Sequence, residues 1–344
     1  MPASPRKIQL RLKLMLSEII FWAKMCWALA TYINVIPYLY DMKITKKQIE
    51  QICKKLDEDL VKFSFLASGN HNDNYAIQTK KNKYVLRIEN NPQFKNLKKE
   101  YNLLKSLKTG LGPKVYFFDK SHKIIPNDYF VEEFVEGKYP KKLNDKFITL
   151  MAKWLKKLHQ QKKPCKKHSM LKAIKPYFRN VNNYKKAIPT ETASKIDSLF
   201  KRVTDFCAKN DEIFAGRKEA CLLHSDLSRE NIIYDGKNIR LLDWEFSRYN
   251  FPEWDLVYFM QSLRLNPKQK ELFLKTYGYP TSKTGKKRLL IISLLNTCGD
   301  IGYSVWRLGL VKQGKLNKKL KTEISKRLNL DIHRLTKIIE DLEQ

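Results

Sequence analysis

Asp226, Asn231 and Asp243 are the residues whose types and spacing suit chemistry. They lie in CLLHSDLSRENIIYDGKNIRLLDWEFS, residues 221–247, with Asn231 five positions after Asp226 and Asp243 twelve after Asn231. Phosphoryl transfer from ATP asks for such a set. One carboxylate orients an attacking hydroxyl and accepts its proton, while a carboxamide oxygen and a second carboxylate hold Mg²⁺ on the nucleotide phosphates. Mg²⁺ is a hard ion that takes one or two carboxylates plus phosphate oxygens, so Asp and Asn suit it where Cys or His would not. The other reading of the stretch is a polar surface loop between two core strands.

The elements around these residues can bring them together. Ala220–Leu223 reads as a short buried strand feeding the loop His224–Asn231. Ile232–Tyr234 and Ile239–Leu242 read as a hairpin turned at Asp235-Gly236, a strong turn signal. Such a hairpin sets Asn231 at the end of one strand and Asp243 at the near end of the other.

Upstream, Thr45–Leu60 has helical apolar spacing, opened by Thr45 with Gln48 as a capping box. Phe63–Ile77 then reads as two strands around a polar turn. Its backbone N–H groups near Ser68, Gly69 and Asn74 could cradle phosphates; a plain hairpin turn is the alternative. Lys83–Ile88 is a strand with one cation, Arg87, inside its apolar run. In a nucleotide kinase a cation here holds the α- and β-phosphates and pairs with a helix glutamate. The helix Asn96–Leu107 carries Glu100, the expected partner; two surface charges are the alternative. Strands at Val115–Phe118 and Tyr129–Phe134 follow. Backbone near Glu133 and Val135 is expected to face adenine, and Glu136-Gly137 to connect to a second lobe.

Phe147–His159 is an amphipathic helix, closed by His159 in a capping or packing role. Residues 162–190 read as a Lys-rich irregular excursion, and Ile196–Lys209 as a helix. Beyond Asp243, aromatic residues alternate with carboxylates through Trp244, Glu245, Tyr249, Trp254 and Asp255. An ammonium over such a ring gains about 0.5–2 kcal/mol. Leu290–Leu310 is an apolar helical region with Tyr303 and Trp306 on one face, and 311–344 a charged helical tail.

The chain has 344 residues, 43% hydrophobic, enough for two lobes with a sizeable core. Its formal charge is +32, from 67 Lys and Arg against 35 Asp and Glu. That charge attracts polyanions, but it is spread without a long like-charge block, so a solvated basic surface is expected and nucleic acid is not an expected partner. The six cysteines form no C-x-x-C pair or zinc-spaced cluster, which fits a reducing, cytoplasmic compartment without a structural metal. Residues 1–43 form a basic and hydrophobic extension, whose charge-free run Met25–Tyr40 is short for a membrane span. Three readings of it stay open: a helix packed on the protein or lying on a membrane surface, a stretch upstream of a start at Met42, or an anchor.

On these residues the chain resembles the choline/ethanolamine kinase group of the aminoglycoside-phosphotransferase-like, protein-kinase-like superfamily. The resemblance runs from about 45 to 325. It is strongest over His224-Ser225-Asp226-Leu227 to Asn231, Asp243-Trp244-Glu245-Phe246-Ser247-Arg248-Tyr249-Asn250 and Trp254-Asp255. Arg87, where aminoglycoside phosphotransferases typically carry Lys, points to the choline branch. Ser228 stands where many members have Gln, Tyr303 where Trp is usual, and the acidic residue expected beyond Asp255 is not found. These departures bear on the amine, not on the phosphotransfer.

The resemblance implies an α+β, two-lobed protein-kinase-like fold. A small β-sheet lobe spans 44–136 and a mainly helical lobe 137–344. It implies ATP and Mg²⁺ as cofactors and phosphorylation of choline or ethanolamine to give the phosphoester. Asp226 is the expected base. Asn231 and Asp243, with Glu245 at a second metal, are the expected metal ligands. Arg87, positioned by Glu100, is expected to hold the phosphates. Trp244, Tyr249, Trp254, Tyr303 and Trp306 are the expected ammonium pocket, and Asp255 a structural brace. Two other readings stay open: the same chemistry on thiamine, an amino sugar or an aminoglycoside, and a non-catalytic basic protein that binds a membrane or RNA.

Overall fold

The computed structural model describes residues 44–68, 71–90, 96–165 and 170–343. The expectations for residues 1–43 and for Gly69 lie outside the described residues.

In chain order the elements are α1 (Lys46–Lys54), β1 (Leu60–Ser68), β2 (Asn72–Thr79), β3 (Lys83–Glu89), α2 (Leu97–Ser106), β4 (Val115–Asp119), β5 (Tyr129–Glu133), α3 (Asp145–Leu158) and β6 (Lys162–Pro164). There follow α4 (Met170–Tyr184), α5 (Thr190–Lys209), β7 (Glu219–Leu223), β8 (Ile232–Tyr234), β9 (Ile239–Leu241), β10 (Arg248–Asn250), α6 (Glu253–Ser262), α7 (Pro267–Tyr277), α8 (Lys283–Lys312) and α9 (Lys321–Glu343). An antiparallel sheet leads and helices dominate the rest, which is the α+β fold expected.

Contact density divides the chain into two units. One holds the described residues of 40–165 and 219–281, the other those of 166–218 and 282–344. These lines differ from the expected lobe boundary after residue 136: the described residues of 44–136 share their unit with the stretch 221–247.

In the first unit, five antiparallel strands run in the order β1-β2-β3-β5-β4. Inward residues Tyr75, Ile77, Tyr84, Leu86, Ile88, Tyr129 and Val131 bury one face under α1, whose Ile49, Ile52 and Cys53 complete that core. Helix α1 starts where the sequence says it must: Thr45 Oγ1 accepts from Gln48 N–H, and Thr45 N–H donates to Gln48 Oε1 at 2.9 Å. Two smaller sheets carry the motif, β10-β7-β6 and the hairpin β8-β9. The hairpin pairs Ile232 with Leu241, and Gly236 takes φ +95° in its turn, a conformation that favours glycine.

The second unit packs α4 and α9 on the long helix α8. α8 is long and apolar enough to cross a membrane, but 61% of its apolar window is buried inside the protein, as in a core helix. The expected irregular excursion over 162–190 is corrected here, because α4 occupies most of it. Ile174, Val181 and Tyr184 are buried along its inner face, and Phe178 meets Phe200 of α5 edge-on at 4.9 Å. Pro176 inside the helix and the surrounding lysines mask that periodicity in the sequence. The charged tail is likewise an amphipathic helix, with Ile324, Leu328, Ile332, Leu335 and Ile339 buried.

Candidate active site

The loop between β7 and β8 is built around a buried carboxylate. Asp255, in the first turn of α6, is fully buried and accepts the backbone N–H groups of His224 and Ser225, each at 2.9 Å. His159 Nε2 donates to the same carboxylate at 3.2 Å, and its Nδ1 meets Tyr277 Oη at 2.8 Å. Burial alone would raise the Asp255 pKa; these donors outweigh it and hold the group below the usual carboxylate range. The loop needs such anchoring because Ser225 sits at φ +70°, a left-handed conformation unfavourable for a residue with a Cβ.

His224 is also fully buried. Its Nε2 donates to Leu242 O at 2.9 Å, which fixes the tautomer and leaves Nδ1 to accept Asp226 N–H at 3.3 Å. The loop is thereby tied to the strand that ends at Asp243. Asn231 O accepts Leu242 N–H at 2.9 Å, so the hairpin sets Asn231 beside Asp243 as its turn chemistry implied.

The Asp226 carboxylate is held from two sides. Asn231 Nδ2 donates to Oδ2 at 2.9 Å and Tyr258 Oη donates to Oδ1 at 2.9 Å. Burial is the largest influence on its pKa and raises it; Asp243 adds to this, and the rise survives the opposing pull of His224, Tyr258 and Asn231. With its N–H₂ committed to Asp226, Asn231 has its Oδ1 free of hydrogen bonds from the described residues. Asp243, at φ +61° with its side chain 35% exposed, gives Oδ1 to Arg87 and takes no hydrogen bond on Oδ2 from the described residues.

A carboxamide oxygen and a carboxylate oxygen are the donor chemistry that Mg²⁺ takes when nucleotide phosphates supply the rest. Among the described residues no cluster of three or more His, Cys, Asp and Glu side chains could hold a metal by itself.

Arg87 is buried at the centre of a charge cluster. Nη1 meets Glu100 at 2.9 Å and Glu132 at 4.0 Å, and Nη2 meets Asp243 at 3.0 Å. With its carboxamide oxygen turned toward Arg87, Asn72 accepts from Nη2 at 3.3 Å and donates to His71 O at 3.0 Å. Three carboxylates outnumber the one guanidinium in a buried volume. Burial pushes Glu100 up to about 8 and Glu132 up to about 7; Arg87 opposes the rise and the neighbouring carboxylates add to it. Arg87 itself is held charged: the three carboxylates outweigh the burial that opposes its charge.

The other expected nucleotide-side residues are placed as follows. Ser68 Oγ donates to Asp73 at 2.6 Å and Asn74 Nδ2 to Ala67 O at 3.5 Å, so both side chains stitch the β1–β2 turn to itself. Glu133 lies in β5, its carboxylate gripped by both terminal nitrogens of Arg240 at 2.6 Å and by Lys114 N–H at 3.0 Å. The N–H groups of Glu133 and Phe134 donate to Lys114 O and Lys83 O. Val135, just past the sheet, has no backbone N–H bond among the described residues.

Glu245 is nearly buried and its two oxygens lie 3.0 Å from His71 Nδ1, joining the β1–β2 turn to the segment after Asp243. The sequence reading missed His71, Asn72, Glu132 and Tyr258. Only Tyr258 left a local trace, one helical turn beyond Asp255.

Of the expected ammonium pocket, Trp244 is corrected. It is 1% exposed, its Nε1 donates to Leu241 O at 2.9 Å, its N–H donates to Glu100, and its ring packs against His224 at 4.7 Å. It is a core residue, and its position between two charged motif residues disguised that in the sequence. Tyr249 lies under Lys163 Nζ, 4.3 Å from its ring centre, and Trp254 is nearly buried with Arg248 5.4 Å from its ring. Tyr303 and Trp306 belong to α8 in the other unit. Their rings are neighbours at 5.4 Å, tilted 39°, with Trp306 buried and Tyr303 40% exposed.

Residues 62–288 match the phosphotransferase enzyme family. The LicA homologue of Metamycoplasma hominis is 28% identical over 137 residues, which is 40% of this chain and 50% of that protein; the match thus spans about half the length of that relative. Among solved structures, choline kinase LicA from Streptococcus pneumoniae aligns at 22% identity and a TM-score of 0.57, covering 84% of this chain and 98% of its own. A spectinomycin phosphotransferase in complex with ADP and spectinomycin aligns at 14% identity and a TM-score of 0.62, covering 86% of this chain and 99% of its own. At those identities the structural likenesses carry the fold alone. The match over 62–288 covers most of the chain, and the chain belongs to the phosphotransferase enzyme family.

Proposed function

We propose that this phosphotransferase moves the γ-phosphoryl group of ATP to the hydroxyl of choline or ethanolamine, with Asp226 as the base. As the acceptor oxygen bonds to the γ-phosphorus, the bond from that phosphorus to the β,γ-bridging oxygen breaks, ADP leaves, and the hydroxyl proton passes to Asp226. Asn231 and Asp243 would hold Mg²⁺, which when bound neutralises phosphate charge. Arg87, backed by Glu100 and Glu132, supplies fixed positive charge on the phosphate side. Positioning and electrostatics supply most of the rate in such transfers.

What supports the amine is the likeness to LicA proteins, one of them named a choline kinase. Of the five aromatic residues expected in an ammonium pocket, Trp244 is core, and Tyr249, Trp254 and Tyr303 each have a protein cation over the ring: Lys163, Arg248 and Arg307.

The test is ADP release with choline, ethanolamine, thiamine and spectinomycin as separate acceptors, with the phosphoester identified by ³¹P NMR. Turnover of choline or ethanolamine above the others is expected. Turnover of spectinomycin or thiamine alone would overturn the amine assignment.

A further inference from the structure

One face of α6 grips the catalytic loop residue by residue. Asp255, Tyr258 and Ser262, at helical spacing, point the same way. Asp255 accepts the N–H groups of His224 and Ser225, Tyr258 Oη donates to the side chain of Asp226, and Ser262 Oγ donates to Leu227 O at 2.8 Å. The helix therefore meets residues 224 to 227 in order. Three of these four hydrogen bonds hold backbone. Tyr258 alone reaches the side chain read above as the base.

An aspartate's terminal torsion is broad and two-fold, so a carboxylate held at one oxygen still swings. Here Asn231 holds Oδ2 and Tyr258 holds Oδ1, both at 2.9 Å, and the carboxylate plane is fixed by two donors on opposite sides. Each oxygen keeps a second lone pair for an acceptor hydroxyl. Tyr258 is half-buried rather than core, so a phenol in this position serves the loop more than the packing of α6.

We propose that Tyr258 is a positioning residue for phosphoryl transfer: its hydroxyl and the Asn231 carboxamide clamp the Asp226 carboxylate in the one orientation that meets the acceptor hydroxyl. The proposal rests on the reading of Asp226 as the base. It predicts a loss of kcat rather than of nucleotide affinity, because misorienting a reacting group by a fraction of an ångström costs about tenfold to a hundredfold in rate.

The test is a double-mutant cycle of Tyr258→Phe and Asp226→Asn, followed by ADP release with the best acceptor. Circular dichroism and ADP binding establish that each variant is folded. Tyr258→Phe keeps the ring and removes only the donor. It is expected to lower kcat about tenfold with KM for ATP within twofold, and to cost nothing further in the Asp226→Asn background. Full kcat in Tyr258→Phe, where Asp226→Asn leaves only a small residual rate, would overturn the clamp and leave the base intact. An equal loss in both backgrounds would reduce Tyr258 to a structural residue. Normal turnover by Asp226→Asn would instead remove the base reading, and the clamp with it.

Discussion

Asp255→Asn is the perturbation whose cost can be worked most directly from the geometry. The carboxylate is fully buried and accepts three donors: His224 N–H and His159 Nε2 on Oδ2, Ser225 N–H on Oδ1. Asparagine keeps one acceptor oxygen. If that oxygen serves His224 and His159, the new N–H₂ faces Ser225 N–H, donor against donor. A hydrogen bond to a charged group is worth about 1.5–3 kcal/mol, and a buried donor left unsatisfied costs about 1–3 kcal/mol. The two surviving bonds also weaken when the charge goes. The sum is a loss of about 3–5 kcal/mol. Ser225, at φ +70°, is the position that relaxes first once its anchor is gone, and Asp226 follows it directly.

Urea unfolding at pH 7.5 measures the loss, with an unchanged m-value showing that the same surface is exposed. The sign with pH follows from the depressed pKa of Asp255. Its contribution is fully present above the unfolded-state value of about 4 and is lost as pH falls through the folded-state value. Wild type and variant should therefore converge in stability in acid. ADP release should fall in kcat. A variant within 1 kcal/mol of wild type at pH 7.5 would refute the reasoning that one carboxylate anchors this loop.

Three further outcomes follow from the site. Arg87→Met strands Glu100 and Glu132 without their counter-charge, for a loss of about 3–5 kcal/mol at pH 7.5. Because both carboxylates sit above their ordinary range, at about 8 and about 7, their ionisation destabilises the fold as pH rises. The loss should shrink at pH 5.5, and a pH-independent loss would contradict the cluster. Asp226→Asn should leave only a small residual turnover yet unfold at a higher temperature than wild type at pH 7.5, since the raised Asp226 pKa costs stability as pH climbs above about 4; a lower melting temperature would count against it. The acid limb of kcat/KM should correspondingly lie above that of an unperturbed aspartate. Trp244→Phe should cost about 2–3 kcal/mol, from lost ring volume and the missing bond to Leu241 O, with KM for the amine unchanged; a raised KM at full stability would return Trp244 to the substrate pocket.

What the sequence determined alone is what short-range chemistry decides. The Thr45 cap, the Asp235-Gly236 turn and the alternation of the strands act over a few residues, so they are legible without a fold. The motif spacing is legible too, because the hairpin that joins Asn231 to Asp243 is itself local. The Arg87–Glu100 pair could be inferred since a strand and the helix after it bring them close. The tertiary structure decided partners. His71 meets Glu245 across 174 positions and Arg87 meets Asp243 across 156. Helix α6 reads the catalytic loop through side chains that no linear spacing relates to it. Whether a tryptophan packs or binds also waits on the fold, since Trp244 looks the same in sequence either way. The physical reason is that a side chain's propensity is its own, while its charge balance, burial and hydrogen-bond partner belong to whatever the folded chain sets beside it.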